Sequence, residues 1–321
     1  MRDPVDFPPT GHFIPSLRHT TYGQEECLKL VTYEHNGVEG FGALAPDGII
    51  GLTGKYASIH HLLEAGPEEL QQLARVLPTI QNRVSESAVR LLPPVPRPKK
   101  LLCLAGNYSE HILEGGGEFP GKEKMTPRVF MKPPTTTLIG SGDAISLPQN
   151  AQQIDWECEL AVVIGKHARF VDAADGLDYV AGYTVLLDIS ERKLLIDDGR
   201  QPRDGDRWFD WLNGKWFDTF APCGPCLVTK DDIPDPQVLP ISLSVNGEIR
   251  QSGNTGQMIF SVAELVAWAS TLMTLEPGDI IATGTLSGVG AATGQFLKSG
   301  DRVEGEIEGI GSIVCPVTAQ A

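Results

Sequence analysis

The sequence predicts a mainly β protein with inserted helices, an α+β fold, and three features of the chain predict it. Short apolar runs of strand length recur along most of the chain. The dipeptides Asn36-Gly37 and Asp47-Gly48 lie between such runs, where they are typical of hairpin turns. Helical patterns are few, and beyond residue 100 the clearest opens with a capping box at Ser261 and Glu264 and runs to about Met273.

Composition divides the chain into three parts. Residues 1–21 hold five prolines or glycines without a periodic pattern, which indicates an extended arm. Residues 22–95 are predicted to form a small N-terminal α+β module, and residues 96–321 a larger β body. Between them the proline-rich segment 92–100 cannot pair regularly, because proline lacks a backbone N–H. Within the module we expect strands at 28–33, 40–44 and 49–52, then helices at 59–64 and 68–77.

Charge and hydropathy argue against two classes of partner. The formal charge is −15 and the pI is near 4.9, which argues against a nucleic-acid partner. No apolar run of the sequence approaches the length of a membrane span, which argues against a membrane partner. Residues 1–9 are acidic and contain prolines, unlike a secretory signal, so we expect a cytoplasmic location.

The cysteine pattern includes one motif that needs a separate interpretation. Cys223-Gly224-Pro225-Cys226 matches the active-site tetrapeptide of thioredoxins. Thiol redox chemistry requires the first cysteine at a helix N-terminus, where the pKa of its thiol is lowered. The residues that follow Cys226 predict a short strand and a turn instead. We therefore favour a structural turn and expect all six cysteines to be mostly buried thiols in a reducing compartment.

An apolar strand at residues 154–164 carries acidic residues two positions apart. Side chains alternate across a strand, so Glu157 and Glu159 point to the same face. Two ionised carboxylates in a core repel each other, which indicates a cation between them. Oxygen ligands favour Mg²⁺ or Ca²⁺, with Mn²⁺ also possible. The alternative is an amphipathic strand with one wet face, and the spacing alone leaves both interpretations open.

A third carboxylate follows the next apolar run, at residues 180–188. This run ends in Asp188, and Arg192 lies just beyond it. Two carboxylates on one strand and one at the end of a neighbouring strand would fill half of an octahedral coordination sphere. The other half would remain for water and substrate.

A histidine and a glutamate share a short predicted helix at residues 109–114. His111 and Glu114 are three positions apart, which places them on one face. A carboxylate beside an imidazole fixes its tautomer and raises its basicity, as a general base requires. The alternative is a surface helix with an incidental ion pair. Three glycines at 115–117 and a polar segment at 118–126 favour a hinge and a lid that closes over a substrate.

These motifs, with others in the same order, resemble the fumarylacetoacetate hydrolase superfamily, and together they span roughly residues 101–317. The density of matching blocks carries the resemblance, because any single block would be weak. The blocks are Gly106-Asn107-Tyr108 with His111 and Glu114, Phe130-Met131-Lys132-Pro133, residues 156–165, Gly182-Tyr183 through Asp188 and Arg192, residues 214–219, Gly224-Pro225, residues 245–248 with Gln251, Pro277-Gly278-Asp279 and Thr283-Gly284-Thr285.

The resemblance implies a mixed β-roll catalytic domain at residues 96–321 and a metal-dependent hydrolase. Such an enzyme cleaves a C–C bond in a 2,4-dioxo acid of the acylpyruvate type through a metal-bound enolate. Mg²⁺ or Mn²⁺ would be held by Glu157, Glu159 and Asp188. His111, oriented by Glu114, would activate water, and Lys215 would stabilise the enolate. The small-molecule oxo-acid substrate would contact Tyr108, Lys132, Arg192 and Thr285.

Other activities remain open on the same scaffold. An isomerase or tautomerase, such as a 2-hydroxyhepta-2,4-diene-1,7-dioate isomerase, or an oxo-acid decarboxylase, such as an oxaloacetate decarboxylase, would use the same site. A catalytically silent homologue that binds metal or oxo acid is a further alternative. The chain also departs from the family pattern near the pocket. Leu195 replaces a glutamine, residues 197–212 are longer and more charged than the pattern, and Leu286 stands where proline is usual.

The resemblance and the proline-rich arm together predict a homodimer formed through the catalytic body. Members of the family are commonly dimers, and long apolar strands leave surface to bury. Light scattering at micromolar concentration should give twice the 34.7 kDa mass of the chain. A monomeric mass under these conditions would contradict the prediction.

Overall fold

The structure, a computed structural model, describes residues 27–149, 152–194 and 199–320. The arm predicted at 1–21 and the substituted Leu195 lie outside these ranges. The strands are β1 (Lys29–His35), β2 (Val38–Ala45), β3 (Gly48–Gly51), β4 (Arg83–Val84), β5 (Arg90–Leu91), β6 (Leu101–Ala105), β7 (Arg128–Met131), β8 (Leu138–Ile139), β9 (Ile145–Leu147), β10 (Ile154–Asp155), β11 (Cys158–Ile164), β12 (Val180–Leu187), β13 (Ser190–Glu191), β14 (Ala221–Thr229), β15 (Pro240–Val245), β16 (Glu248–Asn254), β17 (Ile280–Thr285), β18 (Arg302–Ile307) and β19 (Gly311–Ala319). The helices are α1 (Ile59–Glu64), α2 (Pro67–Val76), α3 (Ser109–Glu114), α4 (Pro134–Thr137), α5 (Asp206–Asn213), α6 (Val262–Leu272) and α7 (Gly290–Thr293).

These elements confirm the predicted mainly β fold with inserted helices. The predicted N-terminal hairpin corresponds to β1, β2 and β3, and the predicted helices that follow correspond to α1 and α2. The capping box opens α6, where the Ser261 hydroxyl accepts from the Glu264 amide and the Glu264 side chain accepts from the Ser261 amide. In the part of the chain that the structure describes, no helix is long and apolar enough to span a membrane.

A twelve-stranded sheet runs through both the N-terminal module and the larger body. Its main order is β4-β3-β2-β1-β14-β12-β11-β17-β6-β7, with β5 added beside β1 and β8 beside β14. The strand β1 pairs antiparallel with β14, so the N-terminal strands extend the central sheet. The division at residues 95 and 96 stays a prediction about domains, but the two parts share one continuous sheet. The segment 92–100 is irregular, as expected, and it is fixed by a hydrogen bond from the Thr32 hydroxyl to the Pro94 carbonyl.

In the interior of this sheet, β11 lies between β12 and β17. All seven residues of β11 and all eight of β12 are buried, as the continuous apolar runs predict. A second sheet of five strands, in the order β16-β15-β18-β19-β9, packs on one face. One core cluster therefore joins Leu160 and Leu187 of the large sheet to Val303 and Ile313 of the small one.

The opposite face of the large sheet is covered by helices. Ala161 and Val163 of β11 belong to a second core cluster, together with Leu62 of α1 and Leu73 of α2. Trp211, on α5, packs against the same cluster. These contacts give a layered arrangement of helices, large sheet and small sheet around two apolar cores.

The cysteine motif lies within a buried strand, as the structural interpretation predicts. Cys223 and Cys226 are both in β14, and both thiols are free and fully buried. Burial raises the pKa of each thiol to about 12. A reactive thiolate is therefore disfavoured at both positions.

The capping box of α6 gives a first test of the fold. Replacing Ser261 with alanine removes the side-chain acceptor at the helix N-terminus, so Ser261→Ala should lower the free energy of unfolding by about 1 kcal/mol. Urea denaturation measures this change. The control is Thr271→Ala, near the C-terminus of the same helix, where an exposed hydroxyl is lost and the change should stay within about 0.5 kcal/mol. Equal effects of the two substitutions would contradict the role of the cap.

Candidate active site and metal centre

Strand register brings the three predicted carboxylates together. Glu157 directly precedes β11, Glu159 lies within it, and Asp188 directly follows β12. The Asp188 amide donates to the Glu157 carbonyl at 2.9 Å, which continues the pairing of the two strands beyond Cys158 and Leu187. One carboxylate oxygen from each residue lies within 4.8 Å of the others, and all three residues are buried. We call this group the acidic triad.

Three cationic side chains surround the acidic triad, and two of them, Lys132 and Lys215, are buried. Lys215 Nζ donates to Glu157 Oε2 at 2.8 Å and to Asp188 Oδ2 at 2.7 Å. Lys132 Nζ, whose side chain has no exposed surface, donates to Asp188 Oδ1 and to the Ile189 carbonyl. Arg192 Nη2 donates to Glu157 Oε1. Both oxygens of Glu157 and both of Asp188 therefore accept from charged donors, which stabilises their ionised forms.

Glu159 is the exception in the triad. Its Oε2 accepts from the Gly284 amide at 2.7 Å, but its Oε1 is buried and has no hydrogen-bond partner among the described residues. Burial, together with the charges of Asp188 and Glu157, raises the pKa of Glu159 well above its ordinary value. Burial also opposes ionisation of Glu157, yet Lys215 and Arg192 outweigh it and hold the pKa of that carboxyl well below its ordinary value.

These observations fit a divalent cation beside Glu159 Oε1. A cation there would give the unpartnered oxygen a ligand and offset the repulsion among the three carboxylates. An all-carboxylate donor set suits hard cations such as Mg²⁺, Mn²⁺ and Ca²⁺. The acidic triad could therefore hold the predicted metal ion.

Two glycines allow the backbone to approach the site closely. A Cβ atom at Gly214 would lie 2.2 Å from the Glu191 carbonyl oxygen, so only glycine fits before Lys215. Gly284 has a φ of +89°, and a Cβ there would lie 2.9 Å from the Cβ of Asn107. Its amide is the donor to Glu159. Gly214 thus allows the close backbone contact just before Lys215, and Gly284 allows the contact that places its amide against Glu159.

The histidine and glutamate of α3 form the predicted dyad at the edge of the triad. His111 Nδ1 lies 2.8 Å from Glu114 Oε1, and Glu114 Oε2 accepts from the Gly288 amide at 2.8 Å. With Nδ1–H donating to the carboxylate, His111 Nε2 carries a lone pair. This atom lies 3.9 Å from Glu157 Oε1, beyond hydrogen-bond distance. The dyad therefore presents a basic nitrogen beside the acidic triad.

The segment predicted as a lid contacts the body of the protein through Lys122 and Met125. Lys122 lies in a short 3₁₀ turn, Lys122–Lys124, and its Nζ donates to Glu264 Oε2 at 2.8 Å at the start of α6. Glu114, at the end of α3, is bonded to Gly288 as described above. These bonds connect both ends of the glycine hinge at 115–117 to the body of the protein. Motion of the segment stays a prediction.

The four predicted substrate contacts have different surroundings. Tyr108 is 1% exposed, and its buried hydroxyl has no partner among the described residues. Burial and the charge of Glu159 raise the pKa of this hydroxyl. Lys132 and Arg192 are bonded to the triad, while the Thr285 hydroxyl donates to the Cys158 carbonyl at 2.9 Å. Their roles in substrate binding stay predictions, but Tyr108 is the one whose polar group is unpaired.

Two supporting residues were not assigned roles from the sequence. Asp155 is fully buried and accepts from Arg192 Nε at 2.9 Å and from the Ala291 amide at 3.0 Å. Gln251 bonds to Thr285 and to the Cys158 amide, and so connects β16 to the triad strand. Gln251 appears in a family block, and Asp155 adjoins one. Nothing in their spacing indicates the partners that they contact.

Comparison with known proteins decides the family. Residues 100–318 match the family model described as fumarylacetoacetate (FAA) hydrolase, C-terminal. The chain belongs to the fumarylacetoacetate hydrolase family. The match covers the acidic triad, the His111–Glu114 dyad and the three cationic side chains.

Similar proteins in this family are named for different activities: a tautomerase, a hydrolase and an isomerase. The mitochondrial oxaloacetate tautomerase Fahd2a of Rattus norvegicus is 44% identical over 254 residues, which cover 78% of this chain and 77% of the relative. Maleylpyruvate hydrolase from Sphingobium sp. SYK-6, solved in complex with manganese(II) and pyruvate, is 29% identical with a TM-score of 0.73, over 91% of this chain and 100% of the other. The 2-hydroxyhepta-2,4-diene-1,7-dioate isomerase from Mycobacterium marinum is 30% identical with a TM-score of 0.70, over 92% and 99%. Because the rat relative is mitochondrial, the cytoplasmic location stays a prediction.

The unpartnered oxygen of Glu159 predicts how the protein responds to metal ions. Chelator-treated protein should gain stability on addition of Mg²⁺ or Mn²⁺, by about 2.7 kcal/mol at a concentration of about 100 Kd. Glu159→Gln should remove most of this gain, because it removes a charged ligand. Thermal unfolding with and without the ion measures the effect. Glu248→Gln, an exposed substitution on β16, is the control and should respond like the wild type. An undiminished gain in Glu159→Gln would contradict the metal site.

The raised pKa of Glu159 predicts that, in the absence of metal, the free energy of unfolding depends on pH. The pKa of Glu159 is raised in the folded state, so the folded protein binds more protons than the unfolded chain above about pH 4.5. The free energy of unfolding should therefore contain a component that falls as pH rises above this value. Glu159→Gln lacks that component and should be more stable than the wild type at neutral pH in chelator. Urea denaturation across pH compares the two proteins, and parallel curves would contradict the pKa shift.

Proposed function

We propose that this protein catalyses the keto–enol tautomerisation of a 2-oxo acid of the oxaloacetate type, with a divalent cation as cofactor. The observation that carries the proposal is the orientation of His111, whose Nδ1 is held by Glu114 while Nε2 points towards the acidic triad. A tautomerase needs one group that can accept and return a proton beside a site that stabilises an enolate. The 44% identity to an oxaloacetate tautomerase supports this choice among the family's activities.

Tautomerisation balances without water or any co-reactant. One proton leaves C3 of the 2-oxo acid, and one proton is added to the oxygen at C2. His111 Nε2 accepts the proton from C3, and the imidazolium then donates a proton to the oxygen. Glu114 stabilises the imidazolium and keeps the ring oriented, because both of its oxygens are bonded. When bound, Mg²⁺ or Mn²⁺ supplies positive charge that stabilises the enolate.

Lys215 and Lys132 prepare the site rather than move protons. Lys215 donates to two members of the acidic triad, and Asp188 and Glu157 raise the pKa of its ammonium against the opposing effect of burial. It therefore stays charged at neutral pH and adds a second positive charge beside the enolate. Lys132 holds Asp188 from the opposite side through its other oxygen. These residues fix the carboxylates in the arrangement that a cation requires.

Hydrolysis of a C–C bond in a 2,4-dioxo acid is the second candidate, and the same dyad favours it. His111 would take a proton from water, the water oxygen would add to the distal carbonyl, and the bond would break to release an acid and the pyruvate enol. The polar segment at 118–126, tied to α6 by Lys122, would shield such a reaction from bulk water. A hydrolase with manganese(II) and pyruvate is among the solved structures that resemble this chain, which supports this candidate.

Product analysis separates these candidates from decarboxylation and from a silent homologue. The protein with Mg²⁺ or Mn²⁺ is incubated with oxaloacetate and with acylpyruvates. Tautomerisation should change only the ultraviolet spectrum, hydrolysis should give pyruvate plus an acid, and decarboxylation should release CO₂. Accelerated enol–keto exchange of oxaloacetate without new products is the expected result. Absence of any conversion would contradict the proposal and favour a silent homologue.

Substitution of His111 tests the assigned base. His111→Ala should lower kcat for tautomerisation by roughly 100- to 10,000-fold, the usual scale for loss of a general base. Glu114→Gln should act in the same direction but more mildly, because it affects only the orientation and basicity of the ring. Stopped-flow absorbance at several pH values measures the rates. Glu110→Gln, an exposed position on the same helix, is the matched control and should keep the wild-type rate. A wild-type rate in His111→Ala would contradict the proton-transfer role.

A further inference from the structure

The stretch in which the chain departs from the family pattern, residues 197–212, contributes two rings to a row of three aromatic side chains. Trp208 and Trp211 of α5 are stacked, with ring centroids 4.9 Å apart and planes at 20°. Trp211 meets Phe130 of β7 edge to face, with centroids 5.0 Å apart. We call these three rings the aromatic ledge.

The aromatic ledge begins at the active site. Lys215 Nζ, which donates to Glu157 and Asp188, lies 5.3 Å from the centroid of the Phe130 ring and 5.5 Å from that of Trp211. The ledge ends at Trp208, which is 50% exposed. The three rings therefore form a row of contacts from the charged centre of the site to the exposed ring of Trp208.

Local contacts hold α5 in place, so the exposed ring is presented on a fixed support. Asp206 accepts from the Arg203 amide at 2.8 Å at the start of the helix, and Asp210 is paired with Arg200. Trp211 packs against the core cluster of the large sheet. The helix ends at Gly214, whose carbonyl accepts from the Glu191 amide at 2.9 Å. An exposed tryptophan on such a support is preorganised for binding.

We infer that the aromatic ledge binds a planar apolar substituent, so that the site accepts aryl-bearing 2-oxo acids in addition to acids of the oxaloacetate type. This inference rests on the proposed function, because the 2-oxo acid end must lie at the acidic triad. With that end fixed beside Lys215, a substituent that extends towards α5 meets the open face of Trp208, since the other face of this ring is stacked on Trp211. Stacking on Trp208 removes apolar surface of both partners from water. Oxaloacetate carries a carboxylate instead of a ring at its distal end and gains nothing from this surface.

Equilibrium binding tests the ledge without requiring turnover. Phenylpyruvate and pyruvate are titrated calorimetrically into the protein in the presence of Mg²⁺, and the ratio of the two dissociation constants reports the contribution of the ring. In the wild type, phenylpyruvate should bind at least about 10-fold more tightly. Trp208→Ala should reduce this advantage by about 2- to 10-fold, the scale of one aromatic contact. Trp208→Phe should retain most of it, because a ring remains.

Phe209 provides a matched control on the same helix. It is 57% exposed and precedes Asp210, and no ring contact joins it to the aromatic ledge in the described part of the chain. Phe209→Ala should keep the wild-type ratio. The inference is overturned if Trp208→Ala leaves the ratio unchanged, or if Phe209→Ala lowers it equally. It is also overturned if light scattering shows that Trp208→Ala dissociates a dimer without changing the ratio, since the ledge would then be a subunit contact.

The oxaloacetate assay distinguishes failure of this inference from failure of the proposed function. Turnover of oxaloacetate with no binding advantage for phenylpyruvate would reject the ledge alone. A binding advantage that depends on Trp208, without tautomerisation of either oxo acid, would uphold the ledge and reject the proposed reaction. Circular dichroism of each variant confirms that α5 and the sheets are retained.

Discussion

The site depends on the repulsion among three buried carboxylates and on the groups that offset it. Lys132, Lys215 and Arg192 are bonded to four of the six oxygens, all on Glu157 and Asp188. Glu159 is left with a backbone donor on one oxygen and no partner on the other among the described residues. Buried charge of this kind is costly unless it is compensated, either by protonation of Glu159 or by a cation that the acidic triad could hold. Positive charge is thus concentrated at one place inside a protein whose net charge is −15.

Strand pairing in the large sheet fixes the relative positions of these charged side chains. The pairing of β11 with β12 places Asp188 opposite Glu157, and the pairing with β17 brings the Gly284 amide to Glu159. A one-residue slip in either pairing would turn the carboxylates to the opposite face. Two further residues fix the segment around Glu157 and Glu159, since Asp155 bonds to Arg192 and Gln251 bonds to the Cys158 amide.

The pair Glu157 and Glu159 could be predicted from the sequence, because alternation along a strand is a local rule, whereas adding Asp188 required the assumption that successive strands are neighbours. The His111–Glu114 pair was also local, since both residues lie on one turn of helix. Lys215 and Lys132 came only from the resemblance, because nothing in their neighbours along the chain indicates a carboxylate partner. The bond from the Gly288 amide to Glu114 depends on how segments distant in the sequence pack. The pairing of β1 with β14 was missed for the same reason, since periodicity predicts strands but not their neighbours.

The shared sheet has a consequence for the way this molecule can be divided. Lys29 and Leu30 pair with Val228 and Leu227, at the side of β14 that lies away from β12. A chain that began after the proline-rich segment would present that side of β14 as an open sheet edge. Unpaired edges are templates for association with other chains, so the small N-terminal strands act as a cover for the strand beside them. The N-terminal module therefore covers an edge of the large sheet and protects the protein from aggregation. Its removal should lower solubility before it lowers activity.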